Sequence, residues 1–232
     1  WGSNGGALGQ GDSAQKSSPA QVPGTTWAQA VPLRTDFSIA SKTDGTLWFW
    51  GENEYNGSGL NDDNPRNSPV QIGSGTDWRT TAGSIAGGYR WSNALKTDGT
   101  LWVLGSQNPQ GQSGQNDRTA RSSPVQIPGT WNWLGGGEKH GTAINTDGEL
   151  WVWGNNDWGQ LGQNSAILRS SPVQIPGTSW SQVAGGESQT IAIKTDGTAW
   201  AWGYNSDGQL GQNNTVNYSS PIQIPGTTWS QV

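Results

Sequence analysis

The chain repeats one phrase about every 50 residues, and this repetition limits its fold more than any other feature. The phrase Thr-Asp-Gly-(Thr/Glu)-(Leu/Ala)-Trp-x-(Trp/Leu)-Gly begins at Thr43, Thr97, Thr146 and Thr195, and its closing Trp-Gly also occurs at Trp1. A fixed period of this length is typical of propellers, solenoids and other arrays. A residue that fills the same slot in every repeat is therefore interpreted as architecture, and a residue that breaks its slot as a candidate for function.

The fourth repeat predicts four short antiparallel strands. Residues 179–183 alternate in polarity and end at glycines, and residues 190–194 predict a second strand. Asp196-Gly197 separates this strand from residues 198–203, and Asp-Gly between two strands is a strong hairpin signal. Ile222 and Ile224 alternate with a glutamine in the predicted outer strand, and the density of glycine and turn residues argues against helix. The fold class predicted is all-β, a β-propeller of four-stranded antiparallel blades.

The period divides residues 1–232 into a single array. We interpret it as units 1–49, 50–103, 104–152 and 153–201 with a partial unit 202–232. Four units and a fragment would leave open sheet edges in a closed ring. We therefore expect an excerpt of a larger ring, or an arc that is completed by another chain or by copies of itself.

Tryptophan and glycine occupy the most regular slots. We predict that the tryptophans pack between neighbouring sheets and that the glycines form the hairpin turns. The tryptophan slots hold Trp27, Trp78, Trp131, Trp180 and Trp229; Trp48, Trp102, Trp151 and Trp200; and Trp1, Trp50, Trp153 and Trp202, with Leu104 as the substitute. The turn glycines are Gly45, Gly99, Gly148 and Gly197.

Composition argues against several classes of function. The net charge is −5 and no basic stripe occurs, so the chain lacks the phosphate-neutralising surface of a nucleic-acid binder. It has no cysteine and one histidine, and no apolar run approaches the length of a membrane span. We find no nucleophile–base pair, metal cluster or phosphate loop, and we predict no enzymatic activity, no metal and no cofactor.

Two polar features have structural and functional interpretations. His140 is predicted to form a structural hydrogen bond, with acid–base chemistry as the alternative. Asn61-Asp62-Asp63-Asn64 is rich in oxygen ligands but lacks the spacing and terminal glutamate of an EF-hand loop.

The repeat resembles that of the regulator of chromosome condensation family. The segments that carry the resemblance are Gly137-Glu138-Lys139-His140, Asp147-Gly148, Trp153-Gly154, the loop 156–162 and Pro172-Val173-Gln174-Ile175. The resemblance covers essentially the whole chain and implies a propeller, usually of seven blades. Members of the family differ widely in activity, including nucleotide exchange on a small GTPase and inhibition of other proteins by contact. The repeats also resemble those of bacterial and phage surface proteins.

The loop between the first and second strands is the first of two variable sites, and loops on a rigid scaffold often carry binding. We predict that it contacts a protein partner, with simple sequence drift as the alternative. A cell-surface or virion component that recognises glycans is the second interpretation, and a regulator of guanine-nucleotide exchange the third. The candidate binding residues are Asp36, Phe37, Tyr89, Arg90, Trp91, Glu138 and Lys139, together with Trp158, which lies outside the tryptophan slots.

Overall fold

The computed structural model of the chain describes residues 5–33 and 37–232, which form strands joined by tight turns. The first two sheets contain β1 (Trp27–Leu33), β2 (Phe37–Lys42), β3 (Leu47–Gly51), β4 (Arg66–Gln71), β5 (Ile85–Gly88), β6 (Trp91–Leu95), β7 (Leu101–Ser106) and β8 (Val125–Ile127). The next two contain β9 (Trp131–Gly136), β10 (His140–Asn145), β11 (Leu150–Gly154), β12 (Arg169–Gln174), β13 (Trp180–Gly185), β14 (Gln189–Lys194), β15 (Ala199–Gly203) and β16 (Tyr218–Ile224). No helix in these two described ranges is long and apolar enough to cross a membrane.

Each sheet is an antiparallel meander of four strands in chain order, β1 to β4, β5 to β8, β9 to β12 and β13 to β16. The prediction of an all-β fold with four-stranded blades is confirmed. We call the sheets the first to fourth blades. The outer strand of each blade follows the closing glycine of the repeated phrase, so a blade takes residues from two neighbouring repeat units.

The chain divides into two compact units, Trp1–Gln107 with Ala120–Gln126, and Asn108–Thr119 with Ile127–Val232. In the first unit, alternate residues of β2 and β3 such as Ile39 and Phe49 pack against Ile85 and Trp78. In the second unit, Val152 and Trp202 pack with Val183 in the same way. Each unit therefore has a hydrophobic core built from inward-facing strand residues.

The repeated Asp-Gly forms the predicted hairpin turn. In the fourth blade, Lys194 N–H donates to Thr198 O at 2.9 Å and Gly197 N–H donates to Lys194 O at 3.0 Å. Gly197 has a φ of 79°, which favours glycine, and the other three turn glycines share this conformation. The Asp196 carboxylate accepts from the Thr198 amide at 2.9 Å and its hydroxyl at 2.7 Å. These bonds lower the pKa of Asp196 below its ordinary value.

A buried asparagine organises the long loop that leads from the third to the fourth strand of each blade. Asn156 donates to Ser165 O and Ile167 O, and its Oδ1 accepts from the Leu161 amide at 2.9 Å. Because one side chain satisfies three backbone groups, the loop has a fixed shape without regular secondary structure. The equivalent residues are Asn53, Asn108 and Asn205, and all four asparagines are buried.

In three loops the carbonyl four residues after the asparagine, at Gly57, Gln112 and Gln160, accepts a hydrogen bond from a side chain of the following repeat. Gln160 O accepts from the Trp202 indole at 2.8 Å and from the Thr190 hydroxyl at 2.8 Å. The closing tryptophans Trp50 and Trp153 make the same bond to Ala7 O and to Gln112 O. Leu104 has no donor, and here Ser92 donates to Gly57 O at 2.6 Å instead. We call this arrangement the loop clasp.

Candidate binding surface

The variable loop is only partly accessible to a partner. Phe37 and Trp91 are 2% and 0% exposed, and burial therefore contradicts the prediction that these two side chains contact a partner. Each is the first residue of the second strand of its blade, where His140 occupies the same slot and also faces the core. Asp36 lies outside the described residues.

Arg90 stacks on two tyrosine rings in the remaining loop surface. Its guanidinium carbon lies 3.1 Å from the Tyr55 ring centroid and 4.4 Å from that of Tyr89. Nη1 donates to Gln107 Oε1 at 3.1 Å, and Nε is buried with no hydrogen-bond partner among the described residues. We call Tyr55, Tyr89 and Arg90 the Tyr–Arg stack. It holds a cation in a fixed orientation between two half-buried aromatic rings.

The backbone of Arg90 is also unusual. Its φ is 64°, in the left-handed region that costs a non-glycine residue about 1–3 kcal/mol. The Arg90 carbonyl accepts from the Gln107 amide at 3.1 Å, so the same pair of residues is joined through backbone and side chain. The stack therefore holds the loop in a conformation that the residue alone would rarely adopt.

The predicted residues of the second unit are half-buried or exposed. Glu138 and Lys139 form an ion pair of 3.2 Å with each other, and the Glu138 amide donates to Gly186 O. Trp158 is 47% exposed and packs edge-on against Tyr204, with 5.0 Å between ring centroids. The second unit therefore has two separate candidate contact sites, the charged pair Glu138–Lys139 and the exposed aromatic pair Trp158–Tyr204.

The tryptophan slots pack in two ways. The closing tryptophans Trp50, Trp153 and Trp202 are buried, and Trp202 shares a core with residues of the neighbouring blade, as predicted. In three blades the rings of the other two slots contact each other edge to face within the blade, a contact that was not predicted. Trp229 is the exception, since it is 44% exposed. Trp27, Trp131 and Trp180 each begin the first strand of a blade, whereas Trp229 does not belong to a described strand. Trp133, outside the slots, donates to Val183 O at 3.0 Å and joins the third blade to the fourth.

His140 is fully buried in the second unit. Its Nε2 lies 3.0 Å from Thr190 Oγ1, as the predicted structural hydrogen bond requires. Burial lowers the pKa of His140 from 6.5 to about 4, so the imidazole is neutral at physiological pH.

The acidic segment at Asn61 is not arranged as a cation site. Asp62 Oδ2 pairs with Arg66 at 2.7 Å, and its Oδ1 accepts from the Asn64 amide. No group of three or more acidic, histidine or cysteine side chains that could hold a metal occurs in residues 5–33 and 37–232.

Sequence reasoning missed the partners that give the site its geometry. Tyr55 and Gln107 lie in loops remote from Arg90 along the chain, and no local pattern links them. One contact could have been predicted from the sequence, because a lysine recurs directly before Thr-Asp-Gly at Lys42, Lys96 and Lys194. Each of these ammonium groups lies over two tryptophan rings.

Comparison with known proteins identifies the repeat. Residues 147–193 and 196–232 match the sequence model described as "Regulator of chromosome condensation (RCC1) repeat", and residues 180–209 match a second model with the same description. These matches cover the third and fourth blades from the Asp147 turn onward.

Solved structures extend the similarity of fold to most of the chain. Human WBSCR16 superposes with a TM-score of 0.76 at 21% identity, over 87% of this chain and 54% of its own. Prp20p from Saccharomyces cerevisiae, whose reported structure concerns its binding to Gsp1p and histones, superposes with a TM-score of 0.77 at 19% identity. That match covers 92% of this chain and 54% of Prp20p. The same yeast protein bound by Kap60 gives a TM-score of 0.77 over 92% of this chain and 52% of that one.

The chain thus spans about half the length of the structures that it matches. Its four blades correspond to part of a larger propeller, as the resemblance implied. Nothing in the comparisons bears on the bacterial or phage origin that the repeats suggested. Residues 147–232 thus match the repeat of the regulator of chromosome condensation family, and the sheets of the chain have the fold of blades of a β-propeller.

Proposed function

We propose that this chain is a non-catalytic propeller scaffold that binds a protein partner through the loop carrying the Tyr–Arg stack. The observation that carries the proposal is the guanidinium of Arg90, held 3.1 Å from Tyr55 and 4.4 Å from Tyr89. Tyrosine and arginine are enriched among the residues that dominate protein–protein affinity. A side chain that is already ordered loses less entropy on binding, which favours the bound state.

The class of partner is supported by the relatives of known structure. Prp20p is described with Gsp1p and histones, and the yeast protein is also seen bound to Kap60. All of these partners are proteins, and they differ from one another. The propeller fold is therefore compatible with protein binding through different surfaces, and the loops of each chain select its partner.

The test is quantitative affinity capture from the source organism with the parent chain, Arg90→Ala and Arg118→Ala. Arg118 is exposed in another loop and provides a variant of the same charge change. We expect at least one protein to be retained by the parent and by Arg118→Ala and reduced about tenfold with Arg90→Ala. The circular dichroism of the variants should be unchanged. Equal capture by all three forms would contradict the proposal.

A role in nucleotide exchange is examined with the same proteins. Release of a fluorescent guanine nucleotide from a small GTPase would be measured with and without a large excess of the chain. Acceleration of release would replace the scaffold proposal by a regulatory one. An unchanged rate is expected if the chain only binds.

Glycan recognition at a cell or virion surface is a second candidate, favoured by Trp158. Its ring is 47% exposed and is braced by Tyr204, an arrangement that could stack on a sugar. A glycan array probed with the parent and with Trp158→Ala tests this candidate. Binding that depends on Trp158 would establish glycan recognition, and no binding above background would exclude it.

A further inference from the structure

A cleft between two tryptophans recurs in the blades, and in three of them a lysine of the chain occupies it. The Nζ of this lysine lies 4.0 to 5.2 Å from the centroids of both rings. Such distances are favourable for attraction between a cation and an aromatic face. The trios are Lys42 with Trp27 and Trp48, Lys96 with Trp78 and Trp102, and Lys194 with Trp180 and Trp200.

The third blade keeps the two rings and lacks the lysine. Trp131 and Trp151 lie edge to face with 6.3 Å between centroids and 85° between planes. The corresponding pair of the fourth blade, Trp180 and Trp200, has 6.4 Å and 76°. Asn145 stands where the other blades have lysine. The aromatic pair is therefore preserved while its internal cation is absent.

A second substitution in the same turn adds negative charge. Glu149 occupies the slot that holds threonine in the other three blades, and Asn145 Nδ2 donates to its carboxylate at 2.8 Å. The amide of Asn145 thus fixes the carboxylate beside the turn. The two changes together remove a positive charge and introduce a negative one, which reverses the local electrostatic preference.

The same change leaves one indole without an acceptor. In the fourth blade, the Trp200 indole donates to Thr198 Oγ1 at 3.0 Å, and Trp48 and Trp102 make the equivalent bond. With Glu149 in this slot, the buried Trp151 Nε1 has no partner among the described residues. The third blade has therefore lost a bond that the other three have, in the same place where it lost the cation.

The cleft is also larger where the lysine is missing. It has a volume of about 550 Å³ in the third blade, lined by Trp131, Trp151, Asn145 and Pro172. The equivalent cleft of the fourth blade, with Lys194 in its wall, has about 380 Å³. That of the second blade, with Lys96, has about 230 Å³. The extra space lies against the two rings, where an external side chain could enter.

We infer that the third-blade cleft binds a lysine side chain of a protein partner. The partner's ammonium takes the position that Lys42, Lys96 and Lys194 occupy in their own blades, over the faces of Trp131 and Trp151. Its aliphatic stem lies along the apolar wall, and Glu149 supplies the complementary charge. This site deepens the proposed protein-binding function by naming the chemistry of one contact, and it is separate from the Tyr–Arg stack.

The test uses a small probe, so that it does not require the partner. The parent chain with ¹⁵N-labelled tryptophan is titrated with Nα-acetyl-lysine methylamide, at ionic strength matched with sodium chloride. The uncharged control is the same compound acetylated on Nε. We expect the Trp131 and Trp151 indole signals, assigned by Trp→Phe variants, to shift with the charged probe about tenfold more strongly than with the control.

Two designed variants make the result specific. Asn145→Lys with Glu149→Thr copies the turn of the other three blades, so it should fold, and its own lysine should weaken probe binding by about tenfold or more. Lys194→Asn with Thr198→Glu transfers the third-blade pattern to the fourth blade and should add probe-dependent shifts of Trp180 and Trp200. The signal of the Trp131 pair should be unaffected by this second variant.

The inference is overturned if the uncharged control shifts Trp131 and Trp151 as strongly as the charged probe. It is equally overturned if Asn145→Lys with Glu149→Thr binds the probe as the parent does. Arg90→Ala should leave probe binding unchanged. Failure of the Tyr–Arg stack as a partner site and failure of the lysine cleft are thus separate results.

Discussion

At the scale of single residues, His140 offers the clearest link between burial and behaviour in solution. It is the only histidine of the chain, and its imidazole is fully buried. Thr190 donates its hydroxyl proton to Gln160 O, so its oxygen accepts from His140 Nε2 at 3.0 Å. The neutral ring therefore carries its proton on Nε2, and burial lowers the pKa from 6.5 to about 4.

We predict that acid destabilises the protein through this residue. The folded state binds the histidine proton more weakly than the unfolded state does. The stabilisation is therefore fully present above pH 6.5 and is lost as the pH falls from 6.5 towards 4. The free energy of unfolding should fall by about 3 kcal/mol across this interval. Urea unfolding at several pH values measures the change.

The histidine contribution can be separated from that of the carboxylates. A single imidazole signal in NMR should titrate near pH 4, and a midpoint near 6.5 would show that the ring is not buried as described. In His140→Gln, the loss of stability between pH 6.5 and 4 should be much smaller. Asp44, Asp98 and Asp196 also have lowered pKa values, and their effect belongs below pH 4 in both proteins.

At the scale of structural elements, the loop asparagine is the residue on which the shape of each rim loop depends. We predict that Asn156→Ala destabilises the protein by about 3 kcal/mol, because three backbone groups lose their partner. Asn64→Ala is the matched control, since this side chain is exposed. Denaturant unfolding of the two variants gives the comparison. Equal stabilities would show that water replaces the asparagine without cost.

The elements were largely predictable from the chain, and for physical reasons. In the fourth repeat, side-chain alternation and the Asp-Gly turn locate β13 to β16 within a few residues of the observed bounds. Both signals are local, so they do not depend on the rest of the fold. The loop 156–162 was recognised by resemblance, and its asparagine bonds were not predicted because their acceptors lie nine and eleven residues further on.

The candidate site was predicted less well, since its geometry depends on contacts that are distant in sequence. Trp91 and Phe37 vary between repeats like surface residues, yet they occupy an inward-facing slot at the start of a strand. Variation there reflects alternative ways of filling a core. Arg90 is half-buried in the loop and stays a predicted contact residue, and its stacking on Tyr55 could not be predicted because it requires the fold.

At the scale of the whole molecule, β1 contacts β5 within the first unit and β13 contacts β9 and β10 within the second, so each unit should respond locally to damage. We predict that Trp202→Leu, which copies Leu104 in the same slot, costs about 2–4 kcal/mol and increases amide exchange in β9 to β16. The residues around Trp202 in its core belong to the third and fourth blades, so β1 to β4 should remain protected. Hydrogen exchange with mass spectrometry resolves these segments.

Trp50→Leu provides the reciprocal variant. Trp50 packs edge-on against Trp27 and donates to Ala7 O, so its loss should increase exchange in β1 to β4. Exchange that rises across all strands in both variants would contradict the local response and would indicate a single cooperative unit.

The loop clasp also sets the order in which parts of a blade can form during synthesis. The indole that closes a loop arrives 41 to 43 residues after the carbonyl that it binds, at Ala7, Gln112 and Gln160. During synthesis from the N-terminus, each rim loop therefore waits for the next repeat to emerge before its last bond can form. Folding of one blade is therefore complete only after nearly a full further repeat has been translated. If the ribosome stalls between repeats, the last loop lacks the hydrogen bond from the next tryptophan.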